Sequence, residues 1–429
     1  MSSMKVQGIL CDQMGGIMPV IIETPIENWC KEEITKFNSR GVRGNLYNDF
    51  RDLSIDKIVW ESDQLAKSHG IYLEYNRAKT GKEKDWMYMM RITIPGGGPI
   101  NREQYRVLDE IASEYTTNLD GQPSLRVTTR QNIQLHWVKK THILDIVQRI
   151  AEIGFYTLNG CGDNVRNLMG CPLSHFSTLF DAHAWARKAG KYFQLPTAAY
   201  IEIFAIDPNF LRDEDTKFDY GETLLNRKFK IAFSTVHFDE EKGTYLPDNC
   251  VELRTNDMGI APLVENGKVE RAQVYIGGGQ GARHAYTNTF SALGQPFGIF
   301  TLENLMNGLD AIVKVHQRYG DRQNRHWARL KHVLKNYGME WYQQQVRELD
   351  AEFEAPNPDH DYGDRHLHHG WQHQPSNGSL SFGAWIENGR IIDGPNGRIK
   401  SLFRSIMEKY EIELMTTPNQ DVVFVNIPP

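Results

Sequence analysis

The side chains most suited to chemistry lie in residues 125–137, which read LRVTTRQNIQLHW. Apolar residues alternate there with a polar file at even positions: Arg126, Thr128, Arg130, Gln134 and His136. A period of two places such a file on one face of a strand pair. The segment therefore predicts two strands around a tight turn, with one face that binds phosphate or carboxylate. The alternative is a solvated sheet face with scattered surface arginines.

Two more segments supply cations. Residues 226–233 predict a strand in which Lys228 and Lys230 face the same way, although such lysines are often edge or solvated residues. Residues 319–331 contain Arg322, Arg325, Arg329 and Lys331, which would form a cationic stripe if the segment were helical. A ligand with many carboxylates needs such a distributed supply of cations, because each buried charge must be paired.

Glycine and histidine tracts give weaker signals. Gly277, Gly278 and Gly279 follow a predicted strand and permit close backbone approach to a ligand, but a plain tight turn explains them equally well. Residues 359–373 are rich in histidine and aspartate, yet their spacing matches no compact ligand motif. We expect a loop there and no metal-ligating residue in the chain.

The order of predicted elements recurs. A strand from residue 87, a helix over 102–115 capped by Asn101, strands over 125–138 and a helix over 141–153 form one unit. A strand over 382–386, a helix over 398–410 and two strands within 413–427 form a second unit. We align Thr128 with Thr416, so that Pro418 replaces Arg130 and no histidine matches His136. Two half-units with an insertion between them follow, although a common hairpin can recur by chance.

Composition limits the class of protein. The 429 residues suit two or three domains, and 48 basic against 54 acidic residues give a net charge of −6, which does not indicate a nucleic-acid-binding surface. The N-terminus has no basic region followed by an apolar run, and no stretch has the ~18 apolar residues of a membrane span, so we expect a cytoplasmic protein. Five cysteines at irregular spacing favour free thiols over disulfides.

Taken together, these motifs resemble the sirohaem-dependent sulfite and nitrite reductases. The resemblance covers about residues 72–429. It depends on MRITIPGG at 90–97, RVTTRQ at 126–131, GDNVRN at 162–167, RKFK at 227–230, TNDM at 255–258 and the triple glycine at 277–279.

The resemblance implies an α+β fold in which two ferredoxin-like repeats flank a mixed α/β sirohaem-binding half-domain. The implied units are an N-terminal segment (1–71), a first repeat (72–156), the half-domain (157–345), a linker (346–365) and a second repeat (366–429). The implied activity is the six-electron reduction of sulfite to sulfide or nitrite to ammonia, on sirohaem coupled to a 4Fe–4S cluster. Ferredoxin or a flavoprotein would donate the electrons.

The resemblance also assigns residues. Those around the substrate would be Arg91, Arg166, Lys228 and Lys230. Those holding sirohaem would be Arg126, Thr128, Thr129, Arg130, Gln134, His136, Arg227, Gly277, Gly278, Gly279, Arg325, Arg329 and Lys331. Sulfite is favoured, because related sulfite enzymes have lysine where Lys230 lies, whereas plant-type nitrite reductases tend to have asparagine there.

The sequence departs from the family at the cluster. The family's cluster cysteines form C-x5-C and C-x3-C pairs, and neither occurs in residues 1–429. We therefore expect three modules of a reductase without the cluster-ligand module. The alternatives are a non-catalytic tetrapyrrole-binding or scaffold subunit, and half of a split enzyme whose partner chain carries the cysteines.

Overall fold

A computed structural model describes residues 20–79, 84–211, 217–239, 241–374, 376–395 and 397–429. Cys11 and the other residues of 1–19, on which the expectation about a leader sequence depends, lie outside these ranges. Within them, no helix has the length and apolar character needed to cross a bilayer.

The N-terminal segment, predicted to be irregular or partly helical, contains three short helices. They are α1 (Lys31–Phe37), α2 (Leu46–Arg51) and α3 (Trp60–Ala66). Leu46, Phe50 and Leu65 bury their side chains in the main core of the molecule. The segment is therefore packed onto the rest of the chain.

The first predicted unit forms as expected. Its elements are β1 (Ile71–Tyr75), β2 (Trp86–Ile92), α4 (Arg102–Tyr115), β3 (Ser124–Val127), β4 (Ile133–Val138) and α5 (Ile143–Glu152). Asn101 caps α4 in a reciprocal capping box with Gln104, which satisfies two helix-end donors. The apolar face of α5 is buried, as the spacing of Ile143, Ile146 and Ile150 predicts.

The central part of the chain is a mixed α/β unit. Its elements are β5 (Met169–Gly170), α6 (Ala182–Tyr192), α7 (Ala198–Phe204), β6 (Ile231–Phe233), β7 (Thr235–Asp239), β8 (Thr244–Asp248), β9 (Met258–Glu265), β10 (Lys268–Ile276), β11 (Gln295–Thr301), α8 (Leu305–Tyr319), α9 (Leu330–Tyr337) and α10 (Met339–Arg347). Five strands form a sheet in the order β11-β10-β9-β6-β5, with β5, β6 and β9 parallel, while β7 and β8 pair separately.

The prediction of a strand over residues 226–233 was wrong in its start, and the helix that would make a cationic stripe of residues 319–331 does not form. Lys228 and Lys230 precede β6, which begins at Ile231, because the chain there makes only a single bridge, between Phe229 and Val165, before it joins the sheet. The arginines of 322–329 lie in a loop and not on a helix. The Asp321 carboxylate accepts the backbone N–H groups of residues 323 and 324, and this turn holds the chain out of helical geometry until α9 begins.

The C-terminal unit has the same strand order as the first. Its elements are β12 (Gly370–His373), β13 (Leu380–Ala384), β14 (Arg390–Gly394), β15 (Gly397–Arg398), α11 (Ile399–Lys409), β16 (Glu413–Thr416) and β17 (Val422–Ile427). The order β13-β17-β16 reproduces β2-β4-β3, and every pair is antiparallel in both units. The predicted α+β class with two ferredoxin-like repeats is confirmed.

The two repeats exchange strands. β14, which belongs to the second repeat, pairs with β3 of the first and extends its sheet to the order β1-β2-β4-β3-β14-β15. The equivalent segment of the first repeat, at Ile100, bridges Leu414 on β16. This reciprocity is the pairing expected of two half-units related by a pseudo-twofold axis.

The alignment of Thr128 with Thr416 was wrong by one residue. Thr128 bonds its backbone N–H to the carbonyl of Asn132, and Thr417 does the same with Asp421, while each hydroxyl accepts from the backbone two and four residues later. Thr417 is therefore the counterpart of Thr128. Adjacent threonines at both sites made the two registers indistinguishable by sequence.

Candidate functional site

A row of cations crosses the first sheet. Arg91 on β2 lies opposite Gln134 on β4, Gln134 lies opposite Arg126 on β3, and Arg126 lies opposite Arg390 on β14. Directly paired residues point to the same face of a sheet, so three guanidinium groups line one surface. The polar face predicted from residues 125–137 is present in the structure.

The arginines of this row have few partners. Arg91 donates from Nη1 to the Gly160 carbonyl at 3.2 Å and contacts the Cys161 sulfur at 3.0 Å. The Nε atoms of Arg91 and Arg126 are buried and have no hydrogen-bond partner among the described residues. A buried donor without a partner is costly, so these two groups are suited to an anionic ligand.

His136 lies two residues beyond Gln134, on the same face of β4. Burial, with the nearby Arg126 and Arg91, lowers the pKa of His136 to about 3. The imidazole is therefore neutral at pH 7 and offers an uncharged donor to a carboxylate.

A second group of cations lies beside the row. Arg166 is 7% exposed and donates from Nε to the Gly162 carbonyl at 2.8 Å. The ammonium groups of Lys228 and Lys230 make no hydrogen bond or ion pair with the described residues. Burial and the neighbouring arginines lower the pKa of Lys228 to about 8, and burial with Arg130 lowers the pKa of Lys230 to about 7.

Three predicted sirohaem ligands are engaged by the protein itself. Arg325 forms a bidentate pair with Asp163 (2.7 and 3.0 Å), and Arg329 forms one with Asp257 (2.9 and 2.8 Å). The Lys331 ammonium donates to the carbonyls of residues 279, 281 and 290. These contacts fix the loops that surround the cations.

Arg130 is also held by the protein. Its guanidinium donates to the carbonyls of Asn167 and Ile231 and to the Asn256 side chain, at 2.7–3.0 Å. Burial and the adjacent Arg166 lower its pKa to about 9. Arg130 therefore joins the first repeat to the central sheet and adds positive potential to the pocket.

The remaining predicted residues surround these groups. Thr128 closes the turn between β3 and β4, and Thr129 follows it in the turn. Arg227 lies 3.7 Å from Asp163. Gly278 has no room for a side chain, since a Cβ would lie 2.2 Å from the Arg254 carbonyl oxygen, whereas a Cβ at Gly279 would meet the Arg329 guanidinium at 3.1 Å.

Sequence reasoning missed two residues of the pocket. Arg390 completes the row from a distant part of the chain. The Tyr72 hydroxyl lies beside the Cys161 thiol, and burial raises the pKa of Tyr72 although Arg166 and Arg91 act to lower it. A cavity of about 40 Å³ adjoins Tyr72 and Arg166.

The pocket is thus a concentration of buried and half-buried cations with too few anions. Among the described residues, Asp257 is the carboxylate that acts on Lys228, Lys230 and Arg130, and Arg329 already binds both of its oxygens. A buried charge requires a partner. The arrangement therefore fits a polyanion on the sheet face and a small anion near Arg166 and the lysines.

Comparison with known proteins agrees with this chemistry. Residues 80–153 match the nitrite/sulfite reductase ferredoxin-like half domain, and residues 161–354 match the nitrite and sulphite reductase 4Fe-4S domain. The chain is 31% identical to the NADPH sulfite reductase hemoprotein beta-component of Shewanella sp. strain ANA-3, over 92% of this chain and 69% of that protein.

The chain belongs to the sirohaem-dependent sulfite and nitrite reductase family. It is also 30% identical to the ferredoxin sulfite reductase of Synechococcus elongatus, over 94% of this chain and 62% of that protein. Its fold matches that of Mycobacterium tuberculosis NirA with a TM-score of 0.70 at 20% identity, over 92% of this chain and 65% of that one. Members of this family are oxidoreductases, as predicted, and their cofactors are sirohaem and a 4Fe–4S cluster.

The two cofactors of the reductase family fit the described residues unequally. The unpartnered Nε atoms of Arg91 and Arg126, with His136, suit the carboxylates of sirohaem. A 4Fe–4S cluster takes four cysteine thiolates. Of the four cysteines in the described ranges, Cys171 and Cys250 lie together, whereas Cys161 contacts Arg91 and Cys30 is the residue before α1. The described residues therefore do not form the cluster site.

Proposed function

We propose that this chain binds sirohaem on the face formed by Arg91, Arg126, Gln134, His136 and Arg390, and that it takes part in the reduction of sulfite. The observation that most supports this proposal is the excess of buried and half-buried cations, since Lys228 and Lys230 form no ion pair with the described residues and the carboxylate that acts on them, Asp257, is already bound by Arg329. Bound sirohaem would supply an iron that binds the substrate and passes electrons to it.

The residues proposed to act on the substrate are Arg166, Lys228, Lys230 and also Arg91, which lies at the edge of the sirohaem face and shares the Gly160 carbonyl with Arg166. Each can stabilise negative charge on a sulfite oxygen in a site shielded from water, where a fixed cation is most effective. Lys228 and Lys230, with pKa values of about 8 and about 7, can also give up protons near neutral pH as oxygen atoms leave as water.

Lys230 supports sulfite over nitrite. A unit charge 4 Å from another contributes about 4 kcal/mol at the effective dielectric near a protein surface. A doubly charged anion gains more from an additional cation than a singly charged one does. The arrangement of Lys228 and Lys230, without an anionic partner at either ammonium among the described residues, therefore favours the more highly charged substrate.

The electron donor and the source of the cluster are also proposals. The similar proteins are named for NADPH and for ferredoxin, so a flavoprotein or a ferredoxin is the expected donor. The cysteines of the cluster would be supplied by a module with the C-x5-C and C-x3-C pairs, which do not occur in residues 1–429, or by a partner chain. The alternative function is that of a non-catalytic tetrapyrrole-binding or scaffold subunit. The cytoplasmic location stays a prediction.

Absorption spectroscopy tests sirohaem binding. The protein would be purified from a host that makes sirohaem, with assays for iron and acid-labile sulfide. Sirohaem bands with labile sulfide support the reductase, and sirohaem bands without sulfide support the binding subunit. The proposed sirohaem-binding face would be refuted if the purified protein were colourless and neither the wild type nor Arg126→Ala took up added sirohaem.

Kinetics test the substrate residues in the active holoenzyme. Lys228→Ala should cost about 2–4 kcal/mol in transition-state stabilisation, measured as kcat/KM for sulfite. Lys230→Asn should lower kcat/KM for sulfite more than for nitrite. The exposed Lys268→Ala is the matched control. Unchanged sulfite turnover in Lys228→Ala would remove this residue from the site.

A further inference from the structure

Four metal-ligating side chains converge away from the cationic pocket. Cys171 follows β5, Asp248 ends β8, Cys250 comes two residues later, and His368 lies just before β12. One ligand atom of each lies within 4.8 Å of all the others. Both thiols are fully buried, Asp248 is 1% exposed and His368 is 9% exposed.

The atoms that meet are those with lone pairs for a metal ion. The Cys171 sulfur lies 3.4 Å from His368 Nε2 and 3.4 Å from Asp248 Oδ2, and these last two atoms are 3.0 Å apart. Bonds of about 2.3 Å to sulfur and about 2.1 Å to nitrogen or oxygen place tetrahedral ligands about 3.4–3.8 Å apart. The two separations from the Cys171 sulfur match these ligand–ligand distances, and the 3.0 Å between His368 Nε2 and Asp248 Oδ2 is slightly shorter.

We propose that Cys171, Cys250, His368 and Asp248 form a structural site for a zinc-class divalent ion. Two thiolates with one imidazole and one carboxylate suit Zn²⁺, whereas Mg²⁺ and Ca²⁺ prefer oxygen ligands alone. Four protein ligands fill a tetrahedron and leave no open position, which is the mark of a structural ion. His237 Nε2 lies 3.0 Å from Asp248 Oδ2 and orients that carboxylate from outside.

The geometry argues against a nucleophilic triad. In a cysteine–histidine–aspartate triad, one imidazole nitrogen faces the sulfur and the other faces the carboxylate. Here Nε2 of His368 faces both the Cys171 sulfur and the Asp248 oxygen. Nε2 of His237 does the same, at 3.5 Å from the sulfur. Neither ring therefore bridges a sulfur and a carboxylate through its two nitrogens, so His368 is placed as a ligand and His237 as the outer partner of Asp248.

The site is separate from the proposed sirohaem face. β5 and β6 run parallel. Arg166 precedes β5 and Lys230 precedes β6, whereas Cys171 follows β5 and His237 follows β6. The two groups therefore lie at opposite ends of these strands. The zinc site uses none of the residues assigned to sirohaem or sulfite.

The backbone holds His368 at the cluster. His368 has a positive φ of 58°, and a Cβ at Gly383 on β13 would lie 1.6 Å from its carbonyl oxygen. A cavity of about 590 Å³ lined by His366, His369 and His373 adjoins the cluster and gives an ion a path to it. The ion would join the C-terminal repeat, through His368, to the central unit.

Metal analysis of the untagged protein tests the proposal. Protein grown with added zinc should carry about one zinc ion per chain, and Co²⁺ exchange should give tetrahedral d–d bands with thiolate charge transfer. Cys250→Ser and His368→Gln should each weaken zinc affinity at least about tenfold in a competition with a chelator. Alkylation with mass spectrometry should find Cys171 and Cys250 protected by zinc and exposed by chelation.

Two control variants show whether zinc binding belongs to this cluster. Cys30→Ser removes a thiol outside the cluster, and Lys228→Ala alters the proposed substrate site, so both should keep their zinc. If Lys228→Ala loses sulfite reduction and keeps its zinc, the zinc site is supported separately from the proposed substrate site. The zinc site would be refuted by a Cys171–Cys250 disulfide in the purified protein, by no zinc uptake on titration of the reduced wild type, or by unchanged affinity in both ligand variants.

Discussion

Replacing Lys230 with methionine is expected to stabilise the sirohaem-free protein. The Lys230 ammonium is held among Arg130, Arg329 and Lys228 without a hydrogen-bonded anion in the described structure. Methionine keeps most of the length of the side chain, so the packing of the stem is preserved while the charge is removed. A residue proposed to bind substrate would then be a source of instability when the pocket is empty.

The magnitude follows from the pKa of Lys230, which is lowered from 10.5 to about 7. The unfolded chain binds more protons than the folded one between these values, so the free energy of unfolding rises with pH from about 7 to about 10. The penalty is fully present below pH 7 and is lost above about pH 10.5. At pH 7 it is at most about 4 kcal/mol, and about 2–4 kcal/mol is expected because Lys228 titrates in the same range.

Urea unfolding at pH 7 and pH 9.5 measures this difference. Lys230→Met should have the higher midpoint at pH 7, and its advantage should shrink at pH 9.5 or when sulfate is added to occupy the pocket. Lys268→Met on β10 controls for the loss of an exposed lysine. A Lys230→Met protein that is less stable than wild type at pH 7, or whose stability has the same pH slope, would refute the reasoning.

Three further predictions concern the supports of the pocket. Asp257→Asn should destabilise the protein by about 3–5 kcal/mol in urea unfolding, because it leaves the Arg329 guanidinium without its carboxylate, whereas the exposed Glu265→Gln should cost under about 1 kcal/mol. Gly278→Ala should destabilise the protein by about 1–3 kcal/mol or more, seen as a lower Tm, because its Cβ would lie 2.2 Å from a carbonyl oxygen. Gly281 has open space around it, so Gly281→Ala should leave Tm unchanged. Burial lowers the pKa of His316 to about 3, so the free energy of unfolding should fall as pH falls from 6.5 towards 3. His316→Leu should make that fall smaller. An equal dependence of the free energy of unfolding on pH in both proteins would contradict this.

Local periodicity predicted much of the fold. The alternation of residues 125–137 gave β3, β4 and their shared polar face, and the capping residue Asn101 located the start of α4. These features depend on a few neighbouring residues, so the sequence contains the whole signal. The family motifs then placed Lys228 and Lys230 in the pocket region.

Other features depend on contacts between distant segments. Arg390 joins the arginine row only because β14 pairs with β3, and His368 reaches Cys171 only because the C-terminal repeat packs on the central unit. The partners of Arg325 and Arg329 are carboxylates on loops far away in the chain. The spacing of residues within one segment does not show which carboxylate a cation will meet in the fold. The sequence therefore could not distinguish arginines and lysines that are ion-paired from those that are free.

The strand exchange between the two repeats affects how the protein folds. Until β14 has been synthesised, β3 has an unpaired edge in the first repeat, with the whole central unit still to fold between them. Contacts so distant in sequence slow folding, and an open strand edge invites aggregation. We therefore expect the first repeat alone to be a poor autonomous folding unit, and the two ferredoxin-like repeats to complete their folding together.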